Sequence, residues 1–256
     1  MAAADWLSWL TETTLATSVL IALVLLLRRP VARRFGAEAA YLLWLAPALR
    51  FVFPELAILP APTGDVFAAS AAAAAVDATA FAAAPDTGAS QTTNISLALV
   101  ALWALGAAAF ALGQFGAQHA FRKRLLAASR PAPQDLLAEA TTVAWRRGYK
   151  QGFDLRVAAD ETGPLVTGFL RPLIVVPASF AARLSSHERQ MALAHEFAHV
   201  ARGDLYAALA ATLLRALQWF NPLAHVAWRT FRADQEAACD ALVLRRSIDD
   251  PKARNV

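Results

Sequence analysis

The sequence predicts an α+β protein, in which a multi-pass helical membrane anchor precedes a mostly helical domain that carries a small β-ribbon. Two observations predict this class. Hydrophobic residues make up 57% of the 256 residues and charged residues only 17%, which is too apolar for an ordinary soluble domain. Short runs of strand-forming residues separated by turns occur in the second half of the chain, ahead of a segment with helical spacing.

The first predicted membrane span lies near the N-terminus. Leu15 to Leu27 contains no charged residue, and with Trp6 to Thr14 the segment reaches the roughly 20 residues that a bilayer requires. Its start carries Asp5 and Glu12 instead of lysine or arginine, which argues against a signal peptide. The N-terminus is therefore predicted outside, with four arginines on the cytoplasmic side: Arg28, Arg29, Arg33 and Arg34.

Two further spans complete the predicted anchor. Ala39 to about Leu59 is apolar but is interrupted by Arg50 and Glu55, so a bent hairpin partner of the first helix is expected, with a buried soluble helix as the alternative. Arg50 should reach towards the membrane surface or face another helix. Ile95 to Leu112 is the third span.

Charge sets the predicted orientation. Pro60 to Asn94 is rich in alanine and lacks lysine and arginine, which indicates a low-complexity extracytoplasmic loop, with room for a helix in it. Basic residues follow the third span: Arg122, Lys123, Arg124 and Arg130, with His119. This topology accounts for the formal charge of +4, and the basic clusters lack the interleaved aromatic residues of nucleic-acid binders. The lipid bilayer is the predicted partner, and direct binding of nucleic acid is not expected.

The remaining domain is predicted to open with a helix from Gln134 to Arg147, after a proline-rich boundary at 130–133. Three strands should follow: Leu155–Ala158, Leu165–Thr167 and Leu173–Val176. An exposed edge of this ribbon either binds an extended peptide by strand addition or serves only as scaffold. Both interpretations stay open.

The strongest motif is His195-Glu196-Phe197-Ala198-His199. Positions four apart share a helix face, so both imidazoles can reach one zinc ion, with Glu196 beside the remaining coordination position. There Glu196 can act as the general base. Ser185 and Ser186 are candidate N-caps of this helix. The alternative is an exposed helix with two histidines four apart by chance, but the surrounding segment is apolar, and buried polar groups need partners.

Glu236 and Asp240 provide the predicted third ligand. They are also four apart on a predicted helix, so one can bind the metal and the other can accept a hydrogen bond from a ligating imidazole. The alternative is a solvated acidic helix face. Cys239 is the only cysteine, which excludes internal disulfides, suits a cytoplasmic domain and is most simply a buried structural thiol.

Three features near the motif have open interpretations. Asp204 is a candidate cap of the next helix. Leu205 to Leu217 is short for a span, and it is either a core helix or a helix partly embedded in the membrane. His225 is either a transition-state hydrogen-bond donor or, more simply, a histidine on a helix surface.

Four motifs in this order resemble the BlaR/MecR-type membrane zinc peptidases, which are gluzincin metallopeptidases of bacterial inner membranes. They are the runs 167–177, 195–204, Trp219-Phe220-Asn221-Pro222-Leu223 and Glu236-Ala237-Ala238-Cys239-Asp240. The resemblance implies zinc as the cofactor, bound by His195, His199 and Glu236. It also implies that Glu196 is the catalytic base and that Asp240 orients His195.

The resemblance also implies an organisation. Residues 1–118 would form the three-span anchor, residues 119–246 a cytoplasmic zinc domain, and residues 247–256 a polar tail. The best-known members sense β-lactams outside and trigger removal of a cytoplasmic repressor. They continue into a further membrane helix and a penicillin-binding sensor. Here only a polar tail follows Arg246, and no Ser-x-x-Lys motif is present, so β-lactam sensing is not expected of this chain.

The predicted function is therefore a membrane-bound, regulatory zinc endopeptidase that cleaves a protein at the cytoplasmic face, with a transcriptional repressor as one candidate substrate. The alternative is a non-catalytic membrane signalling or scaffold subunit that retains the zinc site. A regulator acting directly on DNA lacks any recognisable reading element. The substrate, the stimulus and the oligomeric state are left open by the sequence, with a homodimer among the alternatives.

Overall fold

The computed structural model describes residues 3–53, 87–159, 163–168 and 170–248. Helices dominate, and one small sheet lies between them. The helices are α1 (Ala3–Phe35), α2 (Ala37–Leu42), α3 (Leu45–Val52), α4 (Thr87–Ala127), α5 (Gln134–Arg146), α6 (Phe180–Arg183), α7 (Ser186–Arg202), α8 (Asp204–Leu217) and α9 (Pro222–Ile248). The strands are β1 (Ser129–Pro131), β2 (Asp154–Ala158), β3 (Leu165–Thr167) and β4 (Leu173–Pro177).

Two of the described helices are long and apolar enough to cross a membrane, α1 over Asp5–Phe35 and α4 over Asn94–Ala127. The described part of the predicted second span is not one long helix, because a break at residues 43–44 divides it into the short helices α2 and α3. Its end, residues 54–59, lies outside the described residues, so the three-span anchor stays a prediction. Arg50 is buried and faces α1, with Nη2 3.3 Å from Oε1 of Glu12.

Other predicted segments fall wholly or partly outside the described residues. The alanine-rich loop from Pro60 to Asn94 is described only over 87–94, which form the start of α4. The polar tail is described only at residues 247–248, the end of α9. Helix α4 continues without a break through residues 118 and 119, where the predicted boundary between anchor and zinc domain lies.

The predicted ribbon is in fact a four-stranded mixed sheet with the order β1-β2-β4-β3. Strands β2 and β4 are parallel, with Leu155 opposite Ile174, and β3 is antiparallel to β4 at the edge. Strand β1 was not predicted from the sequence, because Pro131 marked a boundary there. Proline is tolerated in an edge strand, where its missing N–H faces away from the ladder.

The main core lies between this sheet and helices α5 and α7. Alternate residues of β4 point to opposite faces, so Ile174 and Val176 enter this core with Phe197 of α7, while Leu173 and Val175 pack on the other side near α4. Ser185 caps α7 and forms a capping box with Glu188, which confirms it as the N-cap. The packing fixes the orientation of the helix that carries the histidines.

A second core joins the N-terminal helices to α9. Ile21 and Trp44 pack against Phe231 of α9. Asp234 of the same helix forms an ion pair with Arg28 of α1, and it accepts a hydrogen bond of 2.9 Å from Nε1 of Trp44. Helix α9 is therefore attached to α1 only two residues before Glu236.

Candidate metal centre

Three side-chain atoms from two helices converge on one point. His195 and His199 lie one turn apart on α7, with their Nε2 atoms 3.2 Å from each other. Glu236 of α9 places Oε2 3.2 Å from Nε2 of His199 and 3.6 Å from Nε2 of His195. Ligands about 2.0–2.1 Å from a tetrahedral zinc ion stand about 3.3 Å apart. The donor set and its spacing therefore fit zinc.

The second nitrogen of each imidazole faces a carboxylate. Nδ1 of His195 lies 3.1 Å from Oδ1 of Asp240, and Nδ1 of His199 lies 2.7 Å from Oδ2 of Asp204. An ionised carboxylate only accepts hydrogen bonds, so each neutral imidazole carries its proton on Nδ1 and keeps the lone pair on Nε2 for a metal. The structure thus brings together all four residues predicted to bind or orient the metal.

Asp204 is the residue that sequence analysis misjudged. It was a candidate helix cap, but Gly203 occupies the N-cap position, and Asp204 is the first residue of α8. The left-handed conformation of Gly203, with φ 75°, turns the chain back after α7. The Asp204 carboxylate therefore reaches His199 instead of capping α8. Nothing in the local sequence distinguishes this role from that of a helix cap.

Asp204 is itself held by several neighbours. Its Oδ1 lies 3.4 Å from both the Tyr41 hydroxyl and Nη2 of Arg202. Gln235, next to Glu236 in the chain, donates to the Tyr41 hydroxyl at 3.0 Å and to the Asp204 carbonyl at 3.1 Å. Because Asp204 and Gln235 are both buried, this network fixes α8 against α9 beside the histidines.

Cys239 is the other candidate, besides Glu236, for the third metal ligand. Its Sγ is fully buried and lies within 4.8 Å of possible ligand atoms of His195 and His199. The thiol also donates a weak hydrogen bond of 3.5 Å to the carbonyl of His195. Glu236 is better placed as the third ligand, since its oxygen already stands at ligand-to-ligand distance from both nitrogens.

The cluster is electrostatically matched to a cation. Hydrogen bonds with Cys239 and Glu236 raise the pKa of His195 to about 10. Burial lowers the pKa of His199, but hydrogen bonds with Asp204, Cys239 and Glu236 outweigh burial and raise it to about 11. Hydrogen bonds with the two histidines hold the pKa of Glu236 well below its usual range. A metal ion bound here would replace these protons, as is usual for histidine sites.

Glu196 lies beside the metal-binding atoms without serving as one of them. Its side chain is buried, and burial raises its pKa above the ordinary value. With the histidines and Glu236 it lines a cavity of about 220 Å³, whose other walls include Pro164–Val166 of the β3 region, Leu205 and Arg232. A carboxylate with a raised pKa, facing a cavity next to a metal site, has the position of a general base.

The sequence of the chain agrees with this site. A family model described as BlaR1 peptidase M56 matches residues 8–253. The chain belongs to the BlaR1 peptidase M56 family. This confirms the resemblance found in its motifs, and it places the chain among metallopeptidases.

Two regulatory proteins are similar to this M56 chain. The protein described as regulatory protein BlaR1 of Bacillus licheniformis is 32% identical over 82 residues, which cover 32% of this chain and 14% of that protein. The regulatory protein BlaR1 of Staphylococcus aureus is 23% identical over 103 residues, which cover 40% of this chain and 18% of that protein. The matched part is thus less than a fifth of either relative.

His225 is not part of this M56 site. Its Nε2 lies 2.8 Å from the carbonyl of Trp219, and its ring contacts Phe110 of α4. It therefore serves the turn between α8 and α9, where it satisfies a backbone carbonyl. The metal centre contains the other two histidines that the sequence analysis singled out.

The two orienting carboxylates should differ in their effect on metal affinity. Asp204 is buried and bonds His199 at 2.7 Å, whereas Asp240 is largely exposed and bonds His195 at 3.1 Å. Removing such a partner costs about 10–100-fold in affinity. We expect Asp204→Ala near the upper end of this range and Asp240→Ala near the lower end, by competition with a fluorescent zinc chelator. Equal affinities of both variants and the parent would contradict the orienting role.

Proposed function

We propose that this M56 chain is a membrane-bound, zinc-dependent endopeptidase with a regulatory role, which cleaves a protein at the cytoplasmic face of the bacterial inner membrane. One observation carries the proposal. Nε2 of His195, Nε2 of His199 and Oε2 of Glu236 converge at 3.2–3.6 Å, and a buried glutamate that is not needed as a ligand faces the same cavity.

The number of ligands supports catalysis over a structural role. Structural zinc sites are closed by four protein ligands, whereas catalytic sites use three and keep one position for water or substrate. We assign His195, His199 and Glu236 as the three. Arg232, one turn before Glu236, places Nη2 3.4 Å from Oε1 of that carboxylate, which leaves Oε2 directed at the histidines.

Glu196 performs the proton transfers in the proposed reaction. Zinc, when bound, would act as a Lewis acid and lower the pKa of a water molecule at the site to about 7. The Glu196 carboxylate accepts the proton from the attacking water and later donates it to the leaving amine. Burial raises the pKa of Glu196 above its ordinary value. The second step uses the same proton, so no other acid is required.

Strand β3 is the proposed binding element for the substrate. One of its edges pairs with β4, and the other has no strand partner among the described residues. Leu165 and Val166 of β3 also form part of the cavity wall that contains the histidines. An extended peptide added to this edge would pass directly over the metal-binding atoms. This favours the peptide-binding interpretation of the edge over the purely structural one.

A regulatory role is supported by the two relatives, both of which are described as regulatory proteins. The cytoplasmic placement is supported by the basic residues that follow α4's apolar segment. A protein substrate such as a transcriptional repressor is therefore our leading candidate. The competing function is a signalling subunit that binds zinc without cleaving.

Metal removal tests the proposed function. The full chain is purified in lipid nanodiscs, loaded with one equivalent of zinc and incubated with itself and with any repressor encoded beside it. We expect discrete cleavage products by mass spectrometry, loss of cleavage after chelation and recovery on adding zinc. Stoichiometric zinc binding with no cleavage of any candidate would favour the signalling subunit. Cleavage that persists after chelation would exclude metal-dependent proteolysis.

A further inference from the structure

The turn between α8 and α9 lies level with the middle of the apolar segment of each candidate membrane span. Nδ2 of Asn221 donates to Oγ of Ser18 in α1 at 2.9 Å, and Nε1 of Trp219 donates to the carbonyl of Trp103 in α4 at 3.2 Å. Ser18 is near the centre of the apolar segment 6–27, and Trp103 is near the centre of the segment 95–112. If these segments cross a bilayer, the turn lies near its midplane.

The turn satisfies its backbone groups with side chains, as a lipid environment requires. The carbonyl of Leu217 accepts a hydrogen bond of 2.8 Å from Nε1 of Trp103, and that of Trp219 lies 2.8 Å from Nε2 of His225. The N–H of Leu223 donates to Oδ1 of Asn221 at 3.0 Å. Hydrocarbon offers no water to such groups, so a turn there must bond them internally.

The outward-facing surface around the turn is mainly apolar, and Arg229 on α9 is the exposed charged residue nearest to the turn on that helix. Tyr206 and Leu213 are exposed and lie seven residues apart on α8, so they share one face of that helix, and Phe220 is exposed in the turn. The neighbouring spans expose large apolar side chains at similar heights: Leu15 and Val19 on α1, and Leu99, Leu102 and Leu105 on α4. A continuous exposed apolar surface of this kind marks an interaction site, and hydrocarbon chains match its chemistry.

We propose that the α8–α9 hairpin enters the bilayer from the side of the zinc domain and turns near the midplane, so that the metal centre lies at the membrane surface. Helix α8 has 14 residues from Leu217 back to Asp204, which contacts His199. At 1.5 Å per residue this is about 20 Å. Half of the hydrocarbon core is about 15 Å, so the metal centre would lie about 5 Å outside it, among the lipid headgroups.

Two other helices give the same height. Glu236 follows Pro222 by 14 positions on α9, which is again about 20 Å of helix. On α4, Gln118 follows Trp103 by 15 positions, and its Nε2 donates to Oγ1 of Thr167 in β3 at 3.0 Å. The strand proposed to bind substrate thus lies at the same level as the metal-binding atoms. The placement depends on helix lengths and contacts, and it does not rest on the proposed peptidase activity.

Depth measurements on nitroxide labels test this placement. Tyr206→Cys, Leu213→Cys and Phe220→Cys are labelled in the full chain in nanodiscs, with Lys150→Cys, exposed in the zinc domain, as the aqueous control. The native Cys239 is buried, so the parent treated with the same nitroxide reagent serves as the background. We expect the ratio of oxygen to aqueous nickel accessibility to rise from Tyr206 to Leu213 to Phe220, with the Tyr206 label at headgroup depth.

A label at a second position tests whether the depth measured at Phe220 applies to the hairpin and not only to the turn. Val226 is exposed on α9, four positions beyond Pro222, and Val226→Cys should report about the same depth as Leu213→Cys, which lies four positions before Leu217. Zinc content equal to that of the parent shows that each variant is folded. Labels at Phe220 and Val226 that are as accessible to aqueous nickel as the one at Lys150 would overturn the proposal. Helix α8 would then be a core helix of a domain outside the bilayer.

Discussion

Glu196→Gln should reduce the rate of peptide cleavage by about 10²–10⁴-fold, which is the usual contribution of general acid–base catalysis. Glutamine keeps the size and the hydrogen bonding of glutamate but cannot accept the proton from the attacking water. Glu196 is buried beside the histidines without being one of the atoms that converge on the metal position. The variant should therefore bind one zinc ion per chain with the affinity of the parent. Metal analysis and cleavage assays on the same samples test both statements.

Glu139→Gln is the matched control for this substitution. Glu139 accepts a hydrogen bond of 3.1 Å from Nε of Arg189 on α7, the helix that carries His195, Glu196 and His199, but it does not line the cavity. The same change from carboxylate to amide should leave cleavage within about twofold. Equal cleavage by Glu196→Gln and the parent would remove the general-base mechanism. Equal losses in both variants would indicate that α7 is sensitive to any lost carboxylate.

The helical spacing of the motifs predicted that the two histidines would meet the acidic pair Glu236 and Asp240, but it did not include Asp204. His195 and His199 share one face of α7, and Glu236 and Asp240 share one face of α9. The acidic pair can bind or orient the metal only if these two faces are in contact. The contact between the two faces depends on tertiary packing. Phe197 positions α7 in one hydrophobic core, and Phe231 positions α9 in another. Spacing alone left open which acidic residue would contact the metal position. The distances to Oε2 of Glu236 now favour that residue.

The role of Asp204 was not predictable from local rules. An acidic residue after a glycine, at the start of a helix, normally indicates a cap, and that rule describes the position of Asp204 but not the direction of its side chain. The left-handed Gly203 reverses the chain, and contacts from Tyr41 and Arg202 hold the carboxylate towards His199. Tyr41 is more than 150 positions away in the sequence, so no local pattern contains this information.

The membrane anchor is also predicted only in part by local sequence patterns. Hydropathy predicts α1 and α4 well, because each has an uninterrupted apolar segment of sufficient length. The segment from Ala39, predicted as a bent span, is described only up to residue 53, as two short helices, so its crossing of the membrane stays a prediction. Hydropathy also left α8 undecided, because 14 residues are too few to span a bilayer but enough to reach its middle. The contacts of the turn with Ser18 and Trp103 give α8 a position relative to the spans.

Glu236→Ala should release zinc from the protein, with a loss of affinity beyond the 10–100-fold expected for Asp204→Ala and Asp240→Ala. The reason is that Oε2 of Glu236 lies 3.2 and 3.6 Å from the two histidine Nε2 atoms, which is the separation expected between two ligands of one zinc ion. The two aspartates act only through the imidazoles. Cys239→Ser is the decisive companion, because the thiol is the other atom near both histidines. We expect the serine variant to keep its zinc, as measured by chelator competition.

Cobalt substitution separates the two donor sets by a second route. A thiolate ligand gives cobalt(II) an intense charge-transfer absorption that carboxylate and imidazole ligands lack, so the parent should show only the weak bands of a nitrogen and oxygen site. A charge-transfer band that disappears in Cys239→Ser, together with retained metal in Glu236→Ala, would exchange the two assignments. The exchange would also bear on catalysis. A thiolate donates more charge to the metal than a carboxylate does, and the carboxylate of Glu236 would then be free to compete with Glu196 for the proton.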